Sequence, residues 1–345
     1  MGNISKKNAD KNNAESTDTA ENADIQKISN TVAYQKSLKA CIDKADELNS
    51  KAKDIFDDAD YLNSLGTDMQ PRYKDMSNRY EALKRAVANP DKEEMAALKK
   101  AGVTIEQVEA RFQQFEKQFE VMEKTRQAKK QIAKDLEAQN LDVKKAMPKN
   151  IAFSTLAVEI NGQIKTLNLM AISGLVKDFV SILSPKKVTL LEILPQKLPS
   201  KLGNYQLYEY KVGNATYYVM DDATAIQNTF KNVDFSDLGF DANYRTNAQD
   251  SERKIAMFAK GIAESPELKK LHKNTNIDLK SLTIDTEMSP CNSCFNVINA
   301  FAEKYGKEKL TTNYGVNFKH KEIPKDDPNS KYLEVNKDIT DFLIN

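Results

Sequence analysis

Apolar side chains fall three and four residues apart through the first part of the chain. Leu38, Cys41, Ala45, Leu48, Ala52, Ile55, Ala59 and Leu62 keep that step without a break, the spacing of one helix face and of a heptad seam. Gly66 and Pro71 are predicted to end this helix. A second helix repeats the rhythm with Tyr73, Met76, Tyr80, Leu83 and Val87 and stops near Asn89-Pro90. A third carries Ile105, Val108, Phe112, Phe115, Phe119 and Met122 and opens on a Thr104/Gln107 capping box. Residues 26–149 thus read as an antiparallel helical hairpin or coiled-coil region, with seams suited to self-association. Cys41 lies on the seam and reads as a small core residue. Residues 1–25 are rich in Asn, Lys, Asp, Ser and Ala and poor in large apolar groups, the composition of a disordered leader.

The rhythm changes near Met147-Pro148. Residues 153–159 and 163–172 read as two strands joined through Asn161-Gly162, a hairpin signal. A helix over 174–183 and a passage interrupted by Pro185, Pro195 and Pro199 follow. Strands at 205–212 and 216–220 turn through Gly213-Asn214. Helix 253–263, strand 282–287, helix 291–305 and strand 309–318 come next, with a last strand at 331–335 and a short C-terminal helix. This alternation argues for a mixed, partly parallel sheet covered on both faces. The predicted fold class is α plus α/β: a helical region, then a three-layer α/β/α domain over residues 150–345. That domain is expected to carry any chemistry without residues 1–149.

Composition narrows the picture. The 51 basic residues nearly match the 50 acidic ones, and the balance holds in both halves, so any contact with nucleic acid must be a local patch. No stretch approaches the roughly 18 apolar residues of a membrane span. The N-terminus lacks the apolar segment of a secretory signal. Three cysteines, Cys41, Cys291 and Cys294, are too few for a disulfide scaffold.

The last two cysteines carry the candidate chemistry. Residues 282–294 read as a strand running into a helix, with Ser289 as N-cap and Pro290 at the first helical position. Cys291 and Cys294 then lie one turn apart on one face, where the electropositive helix start favours thiolates. Two thiolates so placed are half of a tetrahedral zinc site. A thioredoxin-like redox pair is one alternative, although here the proline precedes the first cysteine instead of lying between the two. A structural zinc site is another; it needs two further ligands, and His272 and His320 are the only histidines. Upstream, Asp250-Ser251-Glu252 opens a predicted helix. Alone, it is an acidic first turn that suits the helix dipole. Beside the cysteines, a ligand followed two residues later by an acid that does not bind metal matches the H-x-E half of the zinc deaminase signature. Asp250 stands where His or Cys is usual, and carboxylate oxygen is an acceptable zinc ligand.

With these motifs the chain resembles the bacterial polymorphic-toxin deaminases, within the zinc-dependent cytidine deaminase superfamily. The resemblance covers residues 150–320. It rests on the hairpin ending in Ser173-Gly174, on Asp250-Ser251-Glu252 with Arg253-Lys254, and on Thr286-Glu287 ahead of Ser289-Pro290-Cys291 and Cys294, with Val297, Ile298 and Phe301 beyond. It implies a central sheet between helices, zinc held by Asp250, Cys291 and Cys294, and Glu252 as the proton-transferring acid/base. It implies cytosine in DNA or RNA as substrate and a neutralising immunity protein as partner. It also implies an effector made in a bacterial cytoplasm, delivered without a classical signal peptide, and acting in a target-cell cytoplasm. Ser173 and Glu287 are candidates for contact with the base, beside plainer roles in shaping a turn and ending a strand. The competing reading is a non-enzymatic helical adaptor whose α/β domain holds structural zinc or an inactive site.

Overall fold

The computed structural model describes residues 32–66, 69–160, 162–174, 179–180, 183, 185–194, 205–238, 249–270 and 277–316. The expected leader 1–25, most of the expected helix 174–183, the expected C-terminal strand and helix, and His272 and His320 lie outside them. Helices α1 (Val32–Phe56), α2 (Ala59–Ser64), α3 (Gln70–Ala88), α4 (Glu93–Lys100), α5 (Ile105–Glu137) and α6 (Val143–Ala146) come first in the chain. Two compact units can be distinguished. One takes residues up to Ser50 and Arg79–Phe115; the other takes Lys51–Asn78 and everything from Glu116.

In the first unit the three-four spacing buries what it should. Leu38, Cys41, Ala45 and Leu48 of α1, Tyr80, Leu83 and Val87 of α3, and Ile105, Val108, Phe112 and Phe115 of α5 are all buried. Tyr80 meets Phe112 and Phe115 edge-on and donates its hydroxyl to the Ala45 carbonyl at 2.7 Å. The Thr104/Gln107 capping box forms in both directions, at 2.9 and 3.3 Å. Helix α4, with Met95 and Leu98 buried, is too short to show the periodicity that marks the others.

In the second unit the seam breaks where the sequence reading carried it on. Helix α1 ends at Phe56, and Asp58 caps α2 by accepting from the Tyr61 N–H at 3.0 Å. An aspartate that can satisfy an orphan helix donor competes well with continuation of the helix. The turn rotates the face, so Ala59 is exposed and Tyr61, not Leu62, is buried. Asp58 also binds Arg126 at 2.6 Å and Lys130 at 2.8 Å, both on α5.

The same unit holds a seven-stranded mixed sheet. Its strands are β1 (Ile151–Ile160), β2 (Gln163–Ile172), β3 (Lys186–Thr189), β4 (Gln206–Val212), β5 (Ala215–Val219), β6 (Ile277–Met288) and β7 (Leu310–Val316). Their spatial order is β3-β4-β5-β2-β1-β6-β7. The β2/β5 and β6/β7 pairs are parallel and the rest antiparallel. Gly162, at φ +76°, allows the tight reversal between β1 and β2. Three helices follow strands, α7 (Leu190–Ile193), α8 (Ala223–Thr229) and α11 (Asn292–Tyr305), while α9 (Ser251–Glu264) and α10 (Pro266–Lys270) come between α8 and β6.

Strand alternation sorts side chains onto two cores. Ala152, Leu156, Leu169, Leu282 and Ile284 pack with Ile255, Phe258 and Ile262 of α9 and Val297 and Phe301 of α11. Ile151, Phe153, Met170, Ile172 and Val219 pack with Ala128, Ile132 and Leu136 of α5. Helices therefore cover both faces, and the half of α5 after Glu116 belongs to the unit that holds the sheet. Among the described residues no helix is long and apolar enough to cross a membrane.

Candidate metal centre and its carboxylate

The ends of β2, β6 and β7 and the start of β1 share one edge of the sheet, because β1 runs against β2 and β6 while β7 follows β6. Helices α9 and α11 both begin at this edge. Asp250 is the N-cap residue of α9, yet its carboxylate makes no capping bond. It turns instead to the start of α11. Asp250 Oδ2 lies 3.3 Å from Cys294 Sγ and 3.5 Å from Cys291 Sγ. The cap of α11 differs from expectation. The Ser289 N–H donates to the Val316 carbonyl at 2.8 Å, which prolongs the strand ladder. Cys291 therefore becomes the N-cap and the helix begins at Asn292. The one-turn separation of the two thiols is unaffected.

Asp250, Cys291 and Cys294 each offer one donor atom, and the three lie within 4.8 Å of one another. Zinc bonds of about 2.3 Å to sulfur and 2.0–2.2 Å to oxygen, at a tetrahedral angle, put sulfur and oxygen about 3.5 Å apart. The observed spacing fits such an ion. Three protein donors leave the fourth tetrahedral position open, as catalytic zinc sites do. Burial pushes the Asp250 carboxyl up, against hydrogen bonds from Cys294 and Cys291. The bond from Cys294 holds the Cys291 thiol below its ordinary value. Cys294, with that bond and full burial acting on it, is held well above. Arg253 supplies a buried positive charge. Its burial lowers its pKa, and Cys294, Asp250 and Cys291 oppose that.

Glu252 is the second residue of α9 and is buried. Its Oε2 is 3.7 Å from Cys294 Sγ and accepts from Ser251 Oγ at 3.0 Å. Its Oε1 accepts from Thr286 Oγ1 at 2.6 Å and from Asn150 Nδ2 at 3.1 Å. Burial raises its pKa, with the Thr286 bond pulling the other way. The Asn150 amide is the hub of this network. It also reaches Ser251 Oγ at 3.0 Å and Thr286 Oγ1 at 3.1 Å, and its carbonyl accepts from the Met288 N–H at 3.3 Å. One side chain at the head of β1 thus ties α9 to the end of β6. Lys254 braces the rim from within. It donates to the carbonyls of Ile172 at 3.1 Å and Gly174 at 2.7 Å, and burial lowers its pKa to about 8 against the pull of Asp222.

Of the six residues predicted for the site, the structure gathers five. Asp250, Cys291, Cys294 and Glu252 converge directly. Ser173 lies beside them, half-buried, its hydroxyl accepting from the Ser251 N–H and meeting Ser251 Oγ, both at 3.3 Å. It holds the start of α9. Glu287 is not brought to the site. It neighbours Thr286 in a strand and so points through the opposite face, where it pairs with Lys129 of α5 at 2.6 Å. The sequence reading missed Asn150, which sits just ahead of a strand and matches no periodicity. No protein-family model, curated protein or solved structure matches this chain.

Proposed function

We propose that this chain is a zinc-dependent hydrolytic deaminase converting cytosine to uracil in nucleic acid, and that it serves as the toxin part of a bacterial effector. The observation that carries the reading is the convergence of Asp250, Cys291 and Cys294 with a buried carboxylate, Glu252, 3.7 Å from one of the thiols. A zinc ion held by the three donors would make a water acidic enough to react near neutral pH. Glu252 would be placed to carry both protons of that water in turn, the first to the ring nitrogen and the second to the departing amine, so that cytosine and water become uracil and ammonia. Asn150, Thr286 and Ser251 fix the direction of its carboxylate, which keeps that proton in line without reorganisation. Its buried position shields the transfer from bulk water. A mixed sheet with helices on both faces is compatible with a deaminase-like domain. An immunity protein, delivery to a target-cell cytoplasm and self-association through the N-terminal helices belong to the same proposal.

The adaptor reading with structural zinc calls for four protein donors, of which three converge among the described residues. The test uses the full chain, loaded with zinc and incubated with single-stranded DNA, double-stranded DNA and RNA, with C-to-U changes read by sequencing. Conversion on at least one substrate, abolished by Glu252→Ala with zinc still bound, is expected. A zinc-loaded protein inactive on all three and on free cytidine would overturn the reading, as would near-normal turnover by Glu252→Ala.

A further inference from the structure

Asp285, Thr286 and Glu287 alternate across β6. Thr286 faces α9 and bonds Glu252. Its two neighbours face α5, where Lys124 binds Asp285 at 2.5 Å and Lys129 binds Glu287 at 2.6 Å. The second pair is sealed from solvent, with side chains 2% and 0% exposed. Taking two charges out of water is costly, and apolar residues of similar volume usually do as well or better for stability. A role in holding geometry is the stronger account of such a pair here, and the chain around Glu287 shows what is held. One residue before it stands the threonine that bonds Glu252; one after, the Met288 N–H bonds Asn150; two after, the Ser289 N–H bonds Val316; four after stands Cys291.

We infer that Lys129 is a positioning residue of the metal centre. Its ion pair with Glu287 clamps the end of β6 from the far face of the sheet, so that Thr286 meets Glu252 and the two thiols meet Asp250 in one fixed arrangement. The inference rests on the metal-dependent reading above. It makes the second half of α5 a working part of the site, not a tether to it. Lys124 on Asp285 is the weaker companion, with its side chain 43% exposed.

Cobalt(II) is the probe, because its thiolate absorption reports ligand geometry whether or not the protein turns over. Full-length wild type, Lys129→Met and the double variant Lys129→Met/Glu287→Leu are titrated with cobalt and unfolded by heat. The single variant leaves a buried charge without its partner and is expected to be unstable. The double variant is expected to unfold cooperatively near the wild-type midpoint. It is also expected to bind cobalt about 10–100-fold more weakly, the usual cost of losing support behind a metal ligand, with a shifted thiolate band. A double variant with wild-type affinity and spectrum would overturn the inference. So would a double variant that does not fold, since the pair would then serve the fold and not the site. Wild type that binds cobalt but deaminates nothing removes the proposed reaction and leaves the clamp standing. Wild type that takes up no cobalt removes both.

Discussion

Cutting the chain at residue 150 should destroy the domain that the sequence alone marks as self-sufficient. The cut removes Ala128, Ile132 and Leu136, which cover Ile151, Phe153, Met170 and Ile172 on one face of the sheet. A fully buried Ile, Phe or Met side chain contributes about 1.5–3 kcal/mol, so uncovering these four costs roughly 6–12 kcal/mol. The whole stability of a domain is about 5–15 kcal/mol. Glu287 and Asp285 lose Lys129 and Lys124 in the same cut, and Tyr210 loses Asp135, to which its hydroxyl donates at 2.8 Å. The fragment 150–345 is therefore expected to keep helical and strand signals in far-ultraviolet dichroism. It should lose near-ultraviolet signals, bind a hydrophobic dye and melt without a cooperative transition, the signature of a collapsed state without fixed packing. A fragment with a sharp melt, native near-ultraviolet bands and one zinc per chain would refute the reasoning, because the face beneath α5 would then not need its cover.

Three further outcomes follow from the site and its supports. Cys294→Ala should lower zinc from one per chain to a small fraction by elemental analysis, while Asp250→His should retain it; full zinc in Cys294→Ala would place the ion elsewhere. Asn150→Ala should cost about 1–3 kcal/mol in urea unfolding, because partners of its amide are left buried and unmatched. It should also reduce kcat by about a hundredfold with less change in KM, since a small misplacement of a reacting group is enough for that loss; a variant matching wild type in both measures would remove Asn150 from the role of hub. Asp58 is a pH-dependent support: burial raises its pKa, but hydrogen bonds from Lys130, the Tyr61 N–H and Arg126 bring it down from 3.8 to about 2. Its folded pKa is depressed, so the contribution, about 2 kcal/mol by linkage, is full above pH 4 and fades as pH falls toward 2. Urea midpoints of wild type and Asp58→Asn should differ at pH 6 and converge at pH 2; an equal gap at both would refute the assignment.

The candidate site was readable in the sequence because its residues sit at fixed local spacings: one helical turn between Cys291 and Cys294, two residues from Asp250 to Glu252. The long helices were readable because their buried positions repeat. What escaped depends on contacts between distant segments. Strand β6 begins at Ile277, earlier than its pattern shows, because Lys280 is an extra residue: Ala157 faces Ser281 while Val158 faces Leu279. The bulge flips the alternation, so Ile277 and Leu279 share a core with Leu282 and Ile284 although their parities differ. Strand β3 is a four-residue edge beginning with two lysines, a composition that reads as loop and guards an edge. Ser289 looks like a cap until Val316 claims its N–H. Glu287 looks like a site residue from its place just ahead of Ser289-Pro290-Cys291, yet it adjoins Thr286, which bonds Glu252, and adjacent residues of a strand cannot share a face.

Strand β6 also constrains how this protein can evolve. Between Asp285 and Met288 consecutive positions are committed to opposite sides of the sheet, to Lys124 and Lys129 on one and to Glu252 and Asn150 on the other. In most half-buried strands a slip of one residue trades core for solvent and can be tolerated near an edge. Here it would carry acids toward Glu252 and Asn150 and a threonine toward the lysines, and would displace both thiols as well. Substitutions can explore this segment singly, but a lineage that gains or loses a residue between Leu282 and Cys294 has no nearby functional register to settle into. Length, more than identity, is the heritable property of this stretch.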